Sequence, residues 1–231
     1  MGAQWKHKGR TANAAAKGKV MSKLAKELIL AAKTGGADPA TNAKLRLVVE
    51  QAKKASMPKD SMERAIKRGA GLLDEGAVYE LATYEGFAPH QVPVIVECLT
   101  DNRMRTASSM RGLFRKGTLA AAGAVSWDFA HLGAIEATGP QGVDPETAAI
   151  EAGAEDLEVE EGAVRFYTQP QDLDAVRKAL EAAGWKVESA EQVWRAKNPV
   201  TLPPEQRADV EAFLAEMDED DDVHALYVGL K

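Results

Sequence analysis

From Gly133 to Arg195 the sequence sets out six segments in an order that few folds accommodate. Gly133–Thr138 (G-A-I-E-A-T) is strand-like. Residues 144–153 open on Asp144-Pro145, a side-chain cap followed by proline at the first helical position, and read as a helix. Residues 155–160 (E-D-L-E-V-E) and Ala163–Thr168 read as two strands across a Glu161-Gly162 turn. Residues 170–183 put Leu173, Val176 and Leu180 on one helical face, and Trp185–Arg195 is strand-like again. Strand, helix, strand, strand, helix, strand is the split βαβ order of a ferredoxin-like domain. Such a unit closes on itself. The chain on either side must therefore be explained separately.

Residues 1–18 carry no hydrophobic period and predict a flexible basic arm in which Trp5 either stacks on a base or packs on the first helix. Residues 19–34 predict a helix with Val20, Leu24, Leu28, Ala31 and Ala32 inward, ended by Gly35-Gly36. Asp38-Pro39 predicts the start of a second helix, with Asp38 as cap, running to Ala55 and burying Leu45, Val48, Val49 and Ala52. Pro58 opens a third, with Met62, Ala65 and Ile66 inward and Gly69 at its end. A Gly-rich linker, 69–76, precedes strands at 78–86 and 92–99. A helix at 103–117 follows, with Asp101 as cap and Met104, Ala107, Met110, Leu113 and Phe114 inward; Gly123–Phe129 reads as a third strand. Beyond the linker Pro199–Pro204 stand one helix (204–217), the acidic run Asp218–Asp222, and one strand (V-H-A-L-Y-V-G-L). One helix and one strand cannot bury a core alone, so they are expected to return to the sheet begun at residue 78. The fold class expected is α+β with three domains. These are an N-terminal arm plus three-helix domain (1–76), a discontinuous α/β middle domain (77–130 and 200–231), and an inserted, acidic ferredoxin-like (βαββαβ) domain (131–199).

Charge bears on function. The chain has a net charge of −6, but residues 1–71 hold 16 Lys+Arg against 5 Asp+Glu, a net of +11, and the remainder carries −17. A basic end on an acidic body points to a polyanionic partner. The cations expected to meet it are Lys6, Lys8, Arg10, Lys17, Lys19, Lys23 and Lys26 in the arm and first helix, and Arg64, Lys67 and Arg68 on the third. Arg103, Arg105 and Arg111 form a second cluster in the middle domain. The partner expected is nucleic acid, either DNA or ribosomal or transfer RNA. An adaptor that binds a basic protein through the acidic domain is an alternative.

Catalytic patterns are missing. His7, His90, His131 and His224 have no metal-ligand spacing among themselves or with Cys98, and no cofactor or metal is expected. Cys98 lies in an apolar strand and reads as a small buried hydrophobe. There is no phosphate-binding glycine loop and no serine elbow. Asp218–Asp222 lacks the alternation and glycine of a calcium loop and reads as a solvated turn. A single cysteine suits a reducing cytoplasm, and no apolar run reaches the ~18 residues of a membrane span. The chain is expected to be a non-enzymatic cytoplasmic monomer.

Two motifs carry a resemblance. Tyr84-Glu85-Gly86-Phe87-Ala88-Pro89 and Glu97-Cys98-Leu99-Thr100-Asp101-Asn102-Arg103-Met104-Arg105-Thr106 resemble signatures of the YebC family, which includes mitochondrial translational activators of cytochrome c oxidase. Lys23-Leu24, Asp38-Pro39, Met57-Pro58-Lys59, Arg64-Ala65-Ile66 and Glu151–Asp156 extend the resemblance along the chain. The chain departs from the family pattern at Gly2-Ala3-Gln4-Trp5, at Ala14–Lys17 and at Gly117–Ala120. The resemblance implies a three-domain, non-enzymatic regulator of gene expression. It implies either a DNA-binding transcriptional regulator or a ribosome-associated RNA-binding factor that relieves stalling at proline-rich stretches.

Overall fold

A computed structural model describes residues 14–73, 79–160 and 162–231, with side chains from residue 18 onward except at 160. The expectations for Trp5, Lys6, Lys8 and Arg10, for the Lys17 side chain, for linker residues 74–76 and for the first residue of the strand expected at 78 lie outside those described. The fold is α+β. The chain divides into two compact units: residues up to Ala130 with Arg195–Lys231, and His131–Trp194.

The first unit begins with α1 (Ala14–Gly35), α2 (Ala43–Lys54) and α3 (Lys59–Gly69). Both α2 and α3 pack on α1. Leu24, Leu28, Ala31 and Ala32 of α1 meet Leu45, Val48 and Ala52 of α2 and Met62 and Ala65 of α3. Small residues at the crossing let the helices approach closely. A Cβ on Gly69 would sit 2.2 Å from the Ile29 carbonyl oxygen. Helix α1 starts earlier than expected, because Ala14-Ala15-Ala16 supplies strong helix propensity ahead of Gly18. Val20 is 37% exposed rather than inward. The cap of α2 is Asn42, not Asp38. Asn42 Oδ1 accepts the Leu45 N–H while its Nδ2 donates to the Ala31 and Gly36 carbonyls. An amide can both cap one helix and satisfy the end of another. A carboxylate cannot, and Asp38 instead turns the chain by accepting the Ala40 N–H.

The same unit contains a four-stranded sheet in the order β3-β1-β2-β8. Its strands are β1 (Glu80–Ala88), β2 (Val92–Thr100), β3 (Thr118–Leu119) and β8 (Val223–Val228). β1 and β2 form an antiparallel hairpin from Glu80↔Thr100 to Ala88↔Val92. Residues 204–228 return to this sheet, with β8 antiparallel to β2. Helices α4 (Arg103–Leu113) and α7 (Pro204–Asp218) bury Met110, Val210, Phe213, Leu214 and Met217 against Val94, Val96 and Cys98. Phe114 and Phe213 meet edge to face at 5.7 Å. The inward stripe of α4 runs Thr106, Met110 and continues to Phe114 just past its end, and Met104 is 84% exposed. The expectation for Met104 failed because Asn102, not Asp101, caps α4 and a threonine takes the first inward position. Gly123–Phe129 is not a third strand; that place belongs to Thr118–Leu119. The amides of Gly123, Val125 and Ser126 turn instead onto the Glu85 carboxylate, so no ladder can use them.

The second unit holds most of β4 (Phe129–Thr138) and β7 (Lys186–Ala196), with α5 (Pro145–Ala152), β5 (Asp156–Glu160), β6 (Ala163–Thr168) and α6 (Leu173–Ala182) between them. The strand order β5-β6-β4-β7 is that of a ferredoxin-like sheet. Asp144 caps α5 through the Thr147 N–H, and Gly153 ends it in the left-handed region at φ 82°. Ile135, Phe166, Val176 and Leu180 are buried, and Phe166 meets Trp185 edge to face at 4.9 Å. No described helix of either unit is long and apolar enough to cross a membrane.

Candidate nucleic-acid interface

The cations of α1 do not all face outward. Lys19 Nζ donates to the Glu219 carbonyl at 3.1 Å, and Lys23 Nζ pairs with Asp218 Oδ1 at 2.8 Å. Lys26 is 9% exposed. Its ammonium lies 2.8 Å from Asp222 Oδ1 and donates to the Asp221 and Leu99 carbonyls. Asp218 and Asp222, the two ends of the acidic run, are thus counter-charges of α1, while Glu219 and Asp221 between them remain exposed in a turn and meet the lysines only through their carbonyls. Lys26 is lost to an exposed interface, and Lys19 and Lys23 are already engaged.

Asp222 is the centre of this arrangement. Its carboxylate also accepts from Arg105 Nη2 at 2.9 Å and from Thr106 Oγ1 at 2.9 Å. Thr106 Oγ1 lies 2.6 Å from Thr100 Oγ1, and the Asp222 carbonyl accepts the Leu99 N–H. Burial works to raise the Asp222 pKa, but the bonds from Lys26, Arg105 and Thr106 outweigh it and hold the carboxyl below its usual range. Thr100, Asn102, Arg105 and Thr106 all belong to the motif singled out in the sequence. Their place in it is structural: they cap α4 and seat Asp222.

The second motif behaves alike. Glu85 is 8% exposed. Its Oε1 accepts the Gly123 N–H at 2.7 Å, and Oε2 accepts those of Val125 and Ser126 at 2.9 Å each. Burial works to raise its pKa, and the three backbone bonds win and lower it. Gly86 beside it leaves no room for a side chain, since a Cβ would meet the Thr118 carbonyl oxygen at 2.4 Å.

Of the remaining sequence-derived cations, Arg64 and Lys67 are exposed on α3, with no ion pair among the described residues. Arg68 is half-buried, its guanidinium 5.7 Å from the Tyr79 ring centre, a ring that Lys26 also approaches. Arg103 pairs with Glu80 at 2.6 Å, and Arg105 with Asp101 and Asp222. Arg111 is exposed, and Arg115, one turn on, is exposed beside it; the sequence reading passed over Arg115 as a site residue. Among the described residues, the expected cations that are exposed without an ion pair are Arg64 and Lys67 on α3 and Arg111 on α4, the last with Arg115 one turn on.

Comparison with known proteins follows the same outline. A model of the TACO1/YebC protein N-terminal domain matches residues 2–72, and one of the TACO1/YebC second and third domain matches residues 79–230. The chain belongs to the TACO1/YebC family. Among its relatives is a probable transcriptional regulatory protein of Pseudomonas fluorescens, 60% identical over 233 residues, covering 100% of this chain and 99% of that protein. One of Bdellovibrio bacteriovorus is 50% identical over 232 residues, covering all of both. A crystal structure of a conserved hypothetical protein from Aquifex aeolicus is 40% identical and superposes with a TM-score of 0.85, covering 99% of this chain and 96% of that one. The two TACO1/YebC matches part between residues 72 and 79, a gap that overlaps the Gly-rich linker at 69–76.

Proposed function

We propose that this protein is a non-enzymatic, nucleic-acid-binding regulator of gene expression, acting on DNA as a transcriptional regulator. The observation that carries the reading is the +11 balance of residues 1–71 on a chain of net −6, with Arg64 and Lys67 exposed on α3 and without an ion pair among the described residues. The names of the relatives, probable transcriptional regulatory proteins, agree with it. We keep the three-domain division in this proposal: the basic end (1–76) grips, and the middle (77–130 and 200–231) and ferredoxin-like (131–199) parts support it.

A second reading, a ribosome-associated RNA-binding factor, is favoured by one observation. Helices α2 and α3 each pack on α1 rather than chiefly on each other, which is not the packing expected of a helix-turn-helix pair with a recognition helix. Contacts then go to backbone and shape, which structured RNA also provides. The test is binding of the full chain to duplex DNA, to structured RNA and to ribosomes across a salt series. Replacing Arg64 and Lys67 with glutamine is expected to weaken binding and to reduce the duplex-DNA salt slope by about 2. Tighter binding to DNA than to RNA and ribosomes supports the first reading, and the reverse order supports the second. No binding to any of them at low salt rejects both.

A further inference from the structure

Trp127 is 69% exposed, and among the described residues it is the only tryptophan displayed in this way. Its loop is firmly held. Glu85 takes the amides of Gly123, Val125 and Ser126, and the Val125 side chain is buried beneath. The indole Nε1–H donates to the Ala124 carbonyl at 2.9 Å. The Trp127 carbonyl accepts from Lys197 Nζ at 2.8 Å, and the Asp128 carboxylate accepts from Asn198 Nδ2 at 2.6 Å. The indole N–H and the carbonyl of the residue are both engaged within the chain, so what its side chain offers a partner is the face of its ring. The preceding segment, Ala120-Ala121-Ala122-Gly123-Ala124, has nothing longer than a methyl group to overhang that face. Lys197 keeps further N–H donors after serving the Trp127 carbonyl.

A flat aromatic group and an anion would both be accommodated here, and a nucleotide carries both. We propose that Trp127 is a stacking platform for an unpaired base of single-stranded nucleic acid, with the Lys197 ammonium holding an adjoining phosphate. Bases inside a duplex stack on one another and offer no free face, so the occupant is a single strand. The inference rests on the nucleic-acid reading above and adds to it which part of the nucleic acid is gripped, and where.

The test uses the full chain with a ten-nucleotide oligouridylate, its deoxythymidylate counterpart, and a sugar-phosphate chain of equal length without bases. Both oligonucleotides should quench tryptophan emission, and W127F should lose that quenching while binding within about threefold of the parent. W127A should bind the oligonucleotides about 5- to 150-fold more weakly, the range of one lost stacked base. The base-free chain should bind the parent and W127A equally. If W127A binds both oligonucleotides as tightly as the parent, in a salt-dependent manner, the platform is wrong and the nucleic-acid reading stands. If the parent binds neither oligonucleotides nor duplexes at low salt, the functional reading falls and the platform falls with it.

Discussion

Replacing Asp222 with alanine is expected to lower the unfolding free energy by about 3–5 kcal/mol, the cost of leaving one member of a buried ion pair alone. The Lys26 ammonium would keep the Leu99 and Asp221 carbonyls but lose its charge partner in a setting where it is 9% exposed. Arg105 would lose less, because Asp101 remains 2.8 Å away and its side chain is half in water. Asparagine at 222 keeps the shape and one acceptor, and should fall between the parent and alanine. The double variant K26M/D222L tests the cause: with both charges gone, much of the loss should be recovered. Urea unfolding followed by circular dichroism reads all four proteins. The pH dependence has a fixed sign. The folded-state pKa of Asp222 is depressed, so its contribution is complete above the unfolded value of about 3.9 and fades as pH falls through the folded value. The parent should therefore lose stability below about pH 4 more steeply than D222N. Equal slopes would mean that the carboxylate is not bonded as described.

Glutamine at position 85 should be almost as damaging as alanine, at about 2–4 kcal/mol. The Glu85 carboxylate presents acceptors on both oxygens, to Gly123 on one side and to Val125 and Ser126 on the other. A carboxamide has one oxygen. Its NH₂ would point a donor at backbone donors, so the isostere repels where the acid attracts. Amide exchange should locate the effect, with the amides at 123, 125 and 126 exchanging early while those of β2 keep their protection. If the E85Q loop amides stayed as protected as the parent's, the nest around the carboxylate would have to be abandoned.

The ferredoxin-like unit was legible because its elements are short, regular and punctuated by Asp144-Pro145 and Gly153, and because local periods decide its order. The middle sheet was legible in part. A lone helix and strand at 204–228 had to go somewhere, and β2 had an edge to receive them. The failures share a cause. Lys23 and Lys26 read as surface cations because their partners lie 195 residues away, beyond any sequence window. Asn42 and Asn102 displaced the expected aspartate caps; Asn42 is tied to the end of the neighbouring helix as well. Gly123–Phe129 looked like a strand, but its amides answer a carboxylate on β1. The motif residues Glu85, Arg105 and Thr106 were visible as a pattern, while the work they do required knowing where the 123–126 turn and Asp222 fall.

That 195-residue separation has a consequence in time. At the ~5–20 residues per second of synthesis, the lysines of α1 precede their carboxylates by about 10–40 s. The ferredoxin-like unit, encoded between them, can close during that interval. The ion pairs that tie α1 to the end of α7 and the start of β8 cannot form until those elements emerge. The end of the chain thus acts as the clasp for its beginning. A nascent chain stalled before residue 204 would carry an open strand edge on β2 and a lysine-bearing α1 without its counter-charges.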